Sequence, residues 1–419
     1  MSFISILDRL QATHLPSVVH SSISDGPNEE VKYTALYLLV MQVAEVEALP
    51  LESAVGTVSL EGGHTSFEAT VRPVLVRVRT EDGLVGLGET YLDDPTGEKA
   101  SFVAEGVNSL RNHIIGRDPR NVRDIWQEMY VHTKRSGSYR ALSAIDEALW
   151  DLKGKNAGVP VYELLGGATG TVSAYATFPH EKTAEELIES SEWLAEKGFE
   201  TMKIVVGKEV ETERRRIRRV AEGIPDDLGL AIDANTTYDY QSALEIAKTA
   251  SEFDLKWFEE PIAHTDIDGM ADLNRRTNVP ISAYQNNVTH YPGVEMLKQN
   301  AIEIYQPALD YVGGITAADA IATLCEAFNK RLVPHAFGPV VNYSASLHVA
   351  TAHASCDLIE FGVYSEDVDD PGEYVASPYI ENQTDIYVQD GGIIEPPDSP
   401  GLGLAVDEDI IDQYRQVPA

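Results

Sequence analysis

The chain has 419 residues, enough for two domains with a large buried core. Its formal net charge is −35, from 67 acidic and 32 basic residues, and this excludes a general affinity for nucleic acid or anionic membranes. Acid enrichment without a disorder-type composition indicates a protein that stays soluble in concentrated salt, where surface repulsion is screened. We therefore predict a salt-adapted, cytoplasmic protein. The one basic cluster, Arg214 to Arg219, is predicted to be a solvated helix face paired with neighbouring acids.

The N-terminal segment differs from the rest of the chain. Residues 1–40 are polar, irregular and rich in Ser and His, so they form either a flexible extension or sequence upstream of a true start at Met41, and we favour the second. The longest apolar run there, Tyr33 to Val43, is too short to span a bilayer, and no signal peptide is evident. The two cysteines, Cys325 and Cys356, stand in apolar stretches and are predicted to be buried thiols in a reducing compartment.

Strand-like patterning begins at about Val43 and continues to Tyr91. An alternating run up to Thr80, a Glu-Asp-Gly turn and a second run from Leu84 predict a β-hairpin. Helical periodicity follows from about Lys99 to Asn156.

Beyond residue 166 short β-branched runs alternate with amphipathic helical stretches, which is typical of a parallel β/α barrel. The predicted domains are a 41–165 first domain, a 166–380 barrel, and a 381–419 segment that returns to the first domain. Eight candidate strands end near Ala176, Val206, Asp233, Glu259, Ala283, Tyr305, Pro334 and Glu360.

Three oxygen-bearing residues follow these apolar runs at equal intervals of 26 residues. They are Asp233, Glu259 and Gln285. Because the C-terminal ends of barrel strands converge on one face, we expect these side chains to meet there. Carboxylate and amide oxygens suit Mg²⁺, so the spacing predicts a magnesium site.

The joint between the two domains carries the most specific motif. Residues 144–155 read AIDEALWDLKGK and residues 158–167 read GVPVYELLGG, with further support from GLGET at 86–90, FEEP at 258–261 and PGLG at 400–403. From about residue 43 to 415 the chain resembles the mandelate racemase and muconate lactonizing enzyme group of the enolase superfamily. The resemblance implies a modified TIM barrel, closed by an α+β capping domain built from both chain ends. It also implies Mg²⁺ and removal of the proton α to a carboxylate, a step that a metal and hydrogen-bond donors must assist.

The resemblance assigns metal ligands and a lysine. Asp233 and Glu259 match the first two ligands, and Gln285 stands where the family has a third carboxylate, so metal binding should weaken unless Asn286 or substrate compensates. Lys203 matches the first of two family lysines, whereas the second, commonly the base, is replaced by Val205. Lys203 could therefore be an electrophile, a base with a lowered pKa, or a paired structural lysine.

On the opposite side of the barrel His335 matches the family's histidine base. The aspartate that orients it would fall at Ala308, and Asp310, two residues on, could substitute in part. Without that aspartate the imidazole should be less basic and less fixed in tautomer. Glu360 matches a position that donates to the substrate carboxylate in relatives. These assignments make Lys203, His335, Asp310 and Glu360 the candidate catalytic residues.

Four residues are expected to contact substrate. His64 and Thr65 lie in a Gly-rich segment where the capping domain's specificity loop should be, Tyr284 replaces a small residue and would narrow the site or stack on substrate, and Asn235 follows the first ligand.

The function that these residues favour is Mg²⁺-dependent dehydration of an acid sugar, because His335 is the single clear base. A racemase or epimerase of a 2-hydroxy acid is a weaker alternative, and cycloisomerisation is weaker still, since relatives that perform it use both lysines. A catalytically reduced member that binds a carboxylate ligand or has a structural role is the competing hypothesis, given the departures at Val205, Gln285 and Ala308. The expected partner is a small carboxylate substrate, and a homo-oligomer is expected by analogy.

Overall fold

The structure, a computed structural model, describes residues 41–51, 57–62, 65–93, 100–168, 170–178, 182–363 and 377–415. For residues 57–62, 65–71, 92 and 93 only the backbone is described. Of the predicted site residues, His64 lies outside the described residues, as does the whole of the 1–40 segment.

An antiparallel sheet forms the first layer of the molecule. Its strands are β1 (Val43–Pro50), β2 (Thr57–Gly62), β3 (Thr65–Thr80) and β4 (Val85–Asp93), in the order β1-β3-β2 with β4 also paired to β3. Strands β3 and β4 form the predicted hairpin, because the turn allows Thr80 N–H to bond Leu84 O at 2.9 Å. Gly83 takes a φ of 89° in this turn, a conformation that glycine adopts without strain.

Three helices follow: α1 (Ala100–Leu110) and α3 (Tyr139–Ala157) pack against this sheet, and α2 (Val122–Ser136) packs on α3. Helix α3 is buried on nearly all sides, since it contacts β4 on one face and the helices of the second layer on another. Gly86 and Gly88 permit this close approach, because a Cβ at Gly88 would lie 1.8 Å from the carbonyl oxygen of Ala144. The short helix α4 (Val161–Leu164) follows.

A parallel sheet forms the second layer and confirms the predicted barrel strands. Eight described strands run in the spatial order β11-β10-β9-β8-β7-β6-β5-β12, so neighbours in the sheet are consecutive in the chain except at β5 and β12. The strands are β5 (Val172–Phe178), β6 (Thr201–Val205), β7 (Gly229–Asp233), β8 (Phe258–Glu259), β9 (Ile281–Ala283), β10 (Ile304–Tyr305), β11 (Arg331–Leu332) and β12 (Leu358–Gly362). Each predicted strand end falls within two residues of an observed one.

Helices alternate with these strands, as the periodicity predicts. They are α5 (Ala184–Glu196), α6 (Val210–Ala221), α7 (Tyr240–Glu252), α8 (Ile267–Arg276), α9 (Gly293–Lys298), α10 (Leu309–Val312), α11 (Gly314–Phe328) and α12 (Val340–Ala352). The arginine cluster lies on α6, where Arg214, Arg218 and Arg219 pair with Glu211, Glu252 and Glu185 respectively, so the predicted solvated helix face is confirmed. Both cysteines are free and buried, as predicted.

The joint motif on α3 holds the two layers together through buried carboxylates. Asp146 accepts hydrogen bonds from the backbone and hydroxyl of Thr316 in α11, at 2.8 and 2.6 Å. Glu147 accepts from Glu89 N–H in β4 at 2.9 Å. Asp151 accepts from the backbone N–H of two different segments, one from β4 and one from the C-terminal segment, at 2.8 Å each. The sequence motif is therefore a set of acceptors for backbone donors on three separate segments.

The C-terminal segment contacts both layers. It contains β13 (Ile393–Ile394), which pairs with β5, and α13 (Glu408–Tyr414). Leu51 forms an isolated bridge with Arg415, and Arg415 pairs with Glu47 of β1 at 2.7 Å. None of the helices in the described ranges combines the length and hydropathy that a bilayer crossing demands.

Candidate active site at the strand ends

Apolar side chains from several of the parallel strands pack together in one layer on the inner side of the sheet. These belong to one buried cluster with members on six of the eight strands or directly beside them: Tyr175, Ala231, Trp257, Ile304, Val333 and Leu358. Tyr175 and Trp257 meet edge to face, with ring centroids 5.0 Å apart. Polar residues follow along the same strands toward their C-terminal ends, so the candidate site sits above an apolar floor.

Lys203 of β6 is the buried cation of this site. Its Nζ lies 3.0 and 3.1 Å from the two carboxylate oxygens of Glu259, 2.9 Å from Glu360 Oε1 and 3.5 Å from Asp233 Oδ2. Burial by itself would lower the pKa of Lys203, but the charges of Glu259 and Glu360, with a smaller contribution from Asp233, raise that pKa well above its ordinary value. These contacts favour Lys203 as a fixed positive charge over the alternative of a base with a lowered pKa.

The first two predicted metal ligands are direct neighbours. Asp233 and Glu259 are the last residues of β7 and β8 and occupy paired positions in the parallel ladder. Paired residues on adjacent strands point to the same side of a sheet, so both carboxylates face the same space. Gln285 lies two residues past the end of β9, is 8% exposed, and its Oε1 has no hydrogen-bond partner among the described residues.

Negative charge exceeds positive charge around these ligands. Glu260, directly after Glu259, is fully buried, and its pKa is raised to about 8 by burial and by the charges of Asp233 and Glu259. The pKa of Asp233 is likewise raised to about 7, by burial and by Glu259. One carboxyl oxygen of Glu260 has no hydrogen-bond partner within the described chain.

These properties decide whether the residues fit a divalent cation. No three carboxylate, imidazole or thiol side chains are grouped to hold a metal ion in the part of the chain that the structure describes. A site here would therefore consist of two carboxylates and the free amide oxygen of Gln285. Oxygen donors of this kind, in a pocket with surplus negative charge, fit Mg²⁺.

The backbone beside the ligands is in the left-handed region. Asn235 has a φ of 48°, Glu260 of 38° and Tyr284 of 90°, and each stands next to or within two residues of a strand end. Such conformations cost roughly 1 to 3 kcal/mol for a residue with a side chain and concentrate at functional sites. At Asp233 the turn is supported by a hydrogen bond from Asn235 N–H to Oδ1, at 2.8 Å.

His335 lies across the site from the metal ligands and is paired with Glu360. Its Nδ1 lies 3.0 Å from Glu360 Oε2, and its side chain keeps 16% of its surface exposed. Burial would lower the pKa of His335, but the charge of Glu360 and its contact with the ring raise it above the ordinary value. The expectation of a less basic imidazole is therefore wrong, because Glu360 supplies the carboxylate that position 308 lacks.

Asp310 is directed elsewhere, contrary to the expectation that it could orient His335. The residue lies in α10 and not in a strand, so the assumed two-residue alternation does not apply to it. It forms an ion pair with Arg140 and accepts a hydrogen bond from Thr90 Oγ1 at 3.4 Å, both residues of the first layer. Asp310 thus connects the two layers. The expected placement of position 308 is confirmed, since Ala308 and His335 form a parallel bridge.

The three predicted substrate-contact residues that the structure describes lie in different parts of the molecule. Thr65 begins β3, with only its backbone described, and the Asn235 side chain is exposed beside the first ligand. Tyr284 differs from expectation, because its ring is fully buried and packs on Tyr305, with centroids 5.5 Å apart. Tyr305 in turn contacts the start of α9 at Gly293, so the Tyr284 ring belongs to the layer between strands and helices. Contact of His64, Thr65 and Asn235 with substrate stays a prediction.

Three residues that the sequence did not indicate hold the charged groups in place. Thr177 Oγ1 donates to Glu360 Oε1 at 2.7 Å, and both Trp257 Nε1 and Gln306 Nε2 donate to Glu259 Oε2, at 3.2 and 3.1 Å. Gln306 directly follows strand β10 and Thr177 is the penultimate residue of β5, so their positions at strand ends were the available signal.

Both layers of the molecule match known protein families. Residues 38–166 match the family described as mandelate racemase / muconate lactonizing enzyme, N-terminal domain, and residues 186–410 match the family described as enolase C-terminal domain-like. The matched ranges take in the antiparallel sheet with its helices and most of the parallel sheet.

Individual relatives are similar over nearly the whole chain. An arabinonate dehydratase of Saccharolobus solfataricus is 29% identical over 350 residues, which cover 82% of this chain and 90% of that protein. A D-galactarolactone cycloisomerase of Agrobacterium fabrum is 31% identical over 389 residues, covering 90% of this chain and 99% of that protein. The crystal structure of an enolase superfamily member from Polaromonas sp. JS666 superposes with a TM-score of 0.79 at 28% identity, over 90% of this chain and 98% of that one.

Proposed function

The chain belongs to the mandelate racemase/muconate lactonizing enzyme family of the enolase superfamily, and from this premise we propose that it dehydrates an acid sugar, an aldonic or aldaric acid, to a 2-keto-3-deoxy acid. The observation that carries the proposal is the one-sided arrangement of His335 opposite Asp233, Glu259 and Gln285. The dehydratase among the relatives supports a lyase.

The two sides of the site would have separate tasks. Asp233, Glu259 and Gln285 would hold Mg²⁺, which when bound neutralises the substrate carboxylate and lowers the cost of the negative charge that develops as the α-proton leaves. Lys203, fixed by Glu259 and Glu360, adds a second positive charge on the same side.

His335 would move the proton. Its Nδ1 faces Glu360, so Nε2 is the nitrogen left to take the proton from the α-carbon. The C–H electron pair then forms the carbon–carbon double bond as the β-hydroxyl departs, and the proton held by His335 can pass to that hydroxyl to release water. The resulting enol converts to the 2-keto-3-deoxy acid, so atoms and charge balance.

Val205 argues against a second base. It lies two residues after Lys203 on β6, is buried, and pairs with Asp233 in the ladder. Residues two apart on a strand share a face, so a valine side chain stands where a lysine would otherwise serve the opposite side of the substrate. Racemisation needs a proton donor and acceptor on both faces, so the single base His335 favours dehydration over racemisation.

The test is formation of 2-keto acid from a panel of aldonic and aldaric acids in molar KCl, with MgCl₂ or with EDTA. Turnover with at least one acid is expected in MgCl₂ and should be lost in EDTA. His335→Asn should lose turnover while leaving Mg²⁺ binding in place. The matched control is His113→Asn, since His113 pairs with Glu128 on the surface of the first layer and should retain activity.

Two results would contradict the proposal. Equal activity in His335→Asn and wild type would remove His335 as the base. Absence of both turnover and Mg²⁺ binding would favour the competing hypothesis, a catalytically reduced family member that binds a carboxylate ligand or has a structural role.

One observation favours a second candidate. The cycloisomerase relative is 31% identical across 99% of its own length, a match at least as extensive as that of the dehydratase. Opening of a sugar lactone by loss of the α-proton also needs a base on a single side, which His335 can supply. Sugar lactones therefore belong in the same panel, and turnover of a lactone without release of water would assign this chemistry instead.

A further inference from the structure

The side of the site that holds His335 contains an unusual pairing. Position 308 lies beside His335 in the sheet, as their parallel bridge shows, but alanine supplies no carboxylate there. The backbone N–H of His335 bonds to Pro307 O at 3.1 Å, which holds the two segments together. The carboxylate that reaches the ring comes instead from β12, the strand at the opposite end of the sheet order from β11, which His335 follows.

The two oxygens of Glu360 have different partners. Oε1 lies 2.9 Å from Lys203 Nζ and accepts a hydrogen bond from Thr177 Oγ1 at 2.7 Å. Oε2 lies 3.0 Å from His335 Nδ1, within ion-pair distance, although the angles at the two atoms are not those of a hydrogen bond. Glu360 is fully buried in a strand, so its position is set by the sheet and by Lys203 and Thr177, independently of His335.

We propose that Glu360 is the positioning residue of His335: it replaces the carboxylate absent at position 308, holds the proton of the neutral imidazole on Nδ1, and leaves Nε2 as the base. The proposal rests on the proposed function only in naming the reaction that His335 serves. It departs from the resemblance, which implies that Glu360 donates to the substrate carboxylate.

The charges that face this pair favour the role. Burial opposes the charge on Glu360, but Lys203 and His335 hold the pKa of the carboxyl well below its ordinary range. A permanently ionised carboxylate can accept from Nδ1 and cannot donate to substrate. The charges of Glu360 and Glu259 raise the pKa of the His335 imidazole, and the charge of Lys203 lowers it. The charge of His335 in turn lowers the pKa of Glu260. Removing the Glu360 charge should therefore lower the His335 pKa.

The first test reads the imidazole without any turnover. Uniformly ¹⁵N-histidine-labelled protein is titrated by NMR, and the His335 signals are assigned by their absence in His335→Asn. In Glu360→Gln the His335 pKa should fall by about 1 or more, the effect expected from loss of an adjacent opposite charge. The neutral ring should also lose its preference for the Nδ1–H tautomer. The matched control is Thr177→Val, which removes a hydrogen bond to Oε1 but leaves Oε2 and its charge, and should change the His335 pKa less.

The second test is rescue. Ala308→Asp places a carboxylate beside His335 from the neighbouring segment, so Ala308→Asp combined with Glu360→Gln should restore the raised pKa and the tautomer. On an acid that the wild type turns over, Glu360→Gln should lower kcat on the order of 100-fold with KM little changed, and should move the acidic limb of the pH profile to lower pH. The double variant should regain at least part of that loss.

Either of two results would overturn the proposal. One is an unchanged His335 pKa and tautomer in folded Glu360→Gln. The other is a large rise in KM with kcat retained, which would place Glu360 against the substrate. Lack of turnover in the wild type would count against the proposed function alone, because the NMR titration still shows whether Glu360 positions His335.

Discussion

Two groups of buried carboxylates occur in this molecule, and they differ in how their oxygens are satisfied. On α3, Asp146 and Asp151 accept hydrogen bonds from backbone N–H groups of the segments they join. At the strand ends, Asp233 and Glu259 share the charge of Lys203, and beside them the oxygens of Glu260 and Gln285 include atoms without a partner in the described chain.

We interpret this difference as one between acids with a structural role and acids that we propose to be functional. A carboxylate that accepts several backbone hydrogen bonds is complete in the folded protein and needs no further ligand. A group of carboxylates with surplus charge and free oxygens can still accept a cation or a hydrogen-bond donor of a substrate. Burial and pKa alone do not distinguish the two, since the pKa values of Asp146 and Asp233 are both raised to about 7.

The largest effect is expected from Lys203→Met. It removes the cation in contact with Glu259, Glu360 and Asp233, and leaves their charges buried together. The free energy of unfolding should fall by roughly 3 to 5 kcal/mol, and turnover should fall on the order of 1,000-fold. Denaturant unfolding measures the change in the free energy of unfolding, and the 2-keto acid assay measures the change in turnover. Lys248→Met, which breaks a surface pair with Glu245, is the control and should change neither. Stability equal to wild type would mean that Lys203 does not compensate these carboxylates.

At the joint between the two layers, the expected effect is on how the free energy of unfolding depends on pH, through Glu89. Burial raises the pKa of Glu89 to about 7 from 4.5, although Tyr379 and Val341 donate to it. A raised carboxyl pKa means that its stabilising contribution is present below the unfolded value and is lost as pH rises from about 4.5 to about 7. Over that window wild type should lose up to about 3 kcal/mol relative to Glu89→Gln. Parallel unfolding curves for the two proteins at pH 4.5 and 8, in constant KCl, would refute this.

A smaller effect should follow at the third ligand. Gln285→Glu adds negative charge beside Asp233 and Glu259, so Mg²⁺ should bind on the order of tenfold more tightly, while the metal-free protein becomes less stable. Isothermal titration calorimetry with MgCl₂ measures the Mg²⁺ affinity, and thermal unfolding in EDTA measures the stability of the metal-free protein. The control is Gln299→Glu on the surface, which should leave Mg²⁺ affinity as it is. Unchanged affinity in Gln285→Glu would mean that residue 285 is not a ligand.

The smallest effect is expected from Tyr284→Phe. The phenol oxygen is buried without a hydrogen-bond partner among the described residues, and burial raises its pKa well above the ordinary value, so the hydroxyl stays protonated at physiological pH. Loss of the hydroxyl should leave stability unchanged or raise it by about 1 kcal/mol. Because the ring packs on Tyr305, KM should stay within about twofold. A tenfold rise in KM would show that the hydroxyl contacts substrate after all.

Much of the fold could be predicted from the sequence because it depends on local pattern. Alternating and short apolar runs identified the β3–β4 hairpin and the eight strands of the parallel sheet, since hydrophobic periodicity reports which face of an element is buried. The motif on α3 identified the joint, although its reason emerged only when Asp146, Glu147 and Asp151 were seen to accept from three different segments.

The candidate site was predictable only in part. Equal spacing was enough to bring Asp233 and Glu259 to adjacent strand ends, because a repeated strand and helix unit places its ends at one level. The spacing of residues along the chain could not predict which side chains pair with one another across the sheet. Asp310 turned out to lie in a helix and to pair with Arg140, and Glu360 reached His335 from a strand 25 residues further along the chain.

The sequence by itself thus determined the family, the layers and the positions of the candidate acids, all of which follow from motifs and periodicity along one stretch of chain. The tertiary structure decided the protonation and the partners: Lys203 as a fixed cation, Glu360 as the carboxylate beside His335, and Tyr284 as a packed ring. The reason is physical. Charge state and hydrogen bonding depend on which groups lie within a few ångströms, and those groups come from segments that are far apart in the chain.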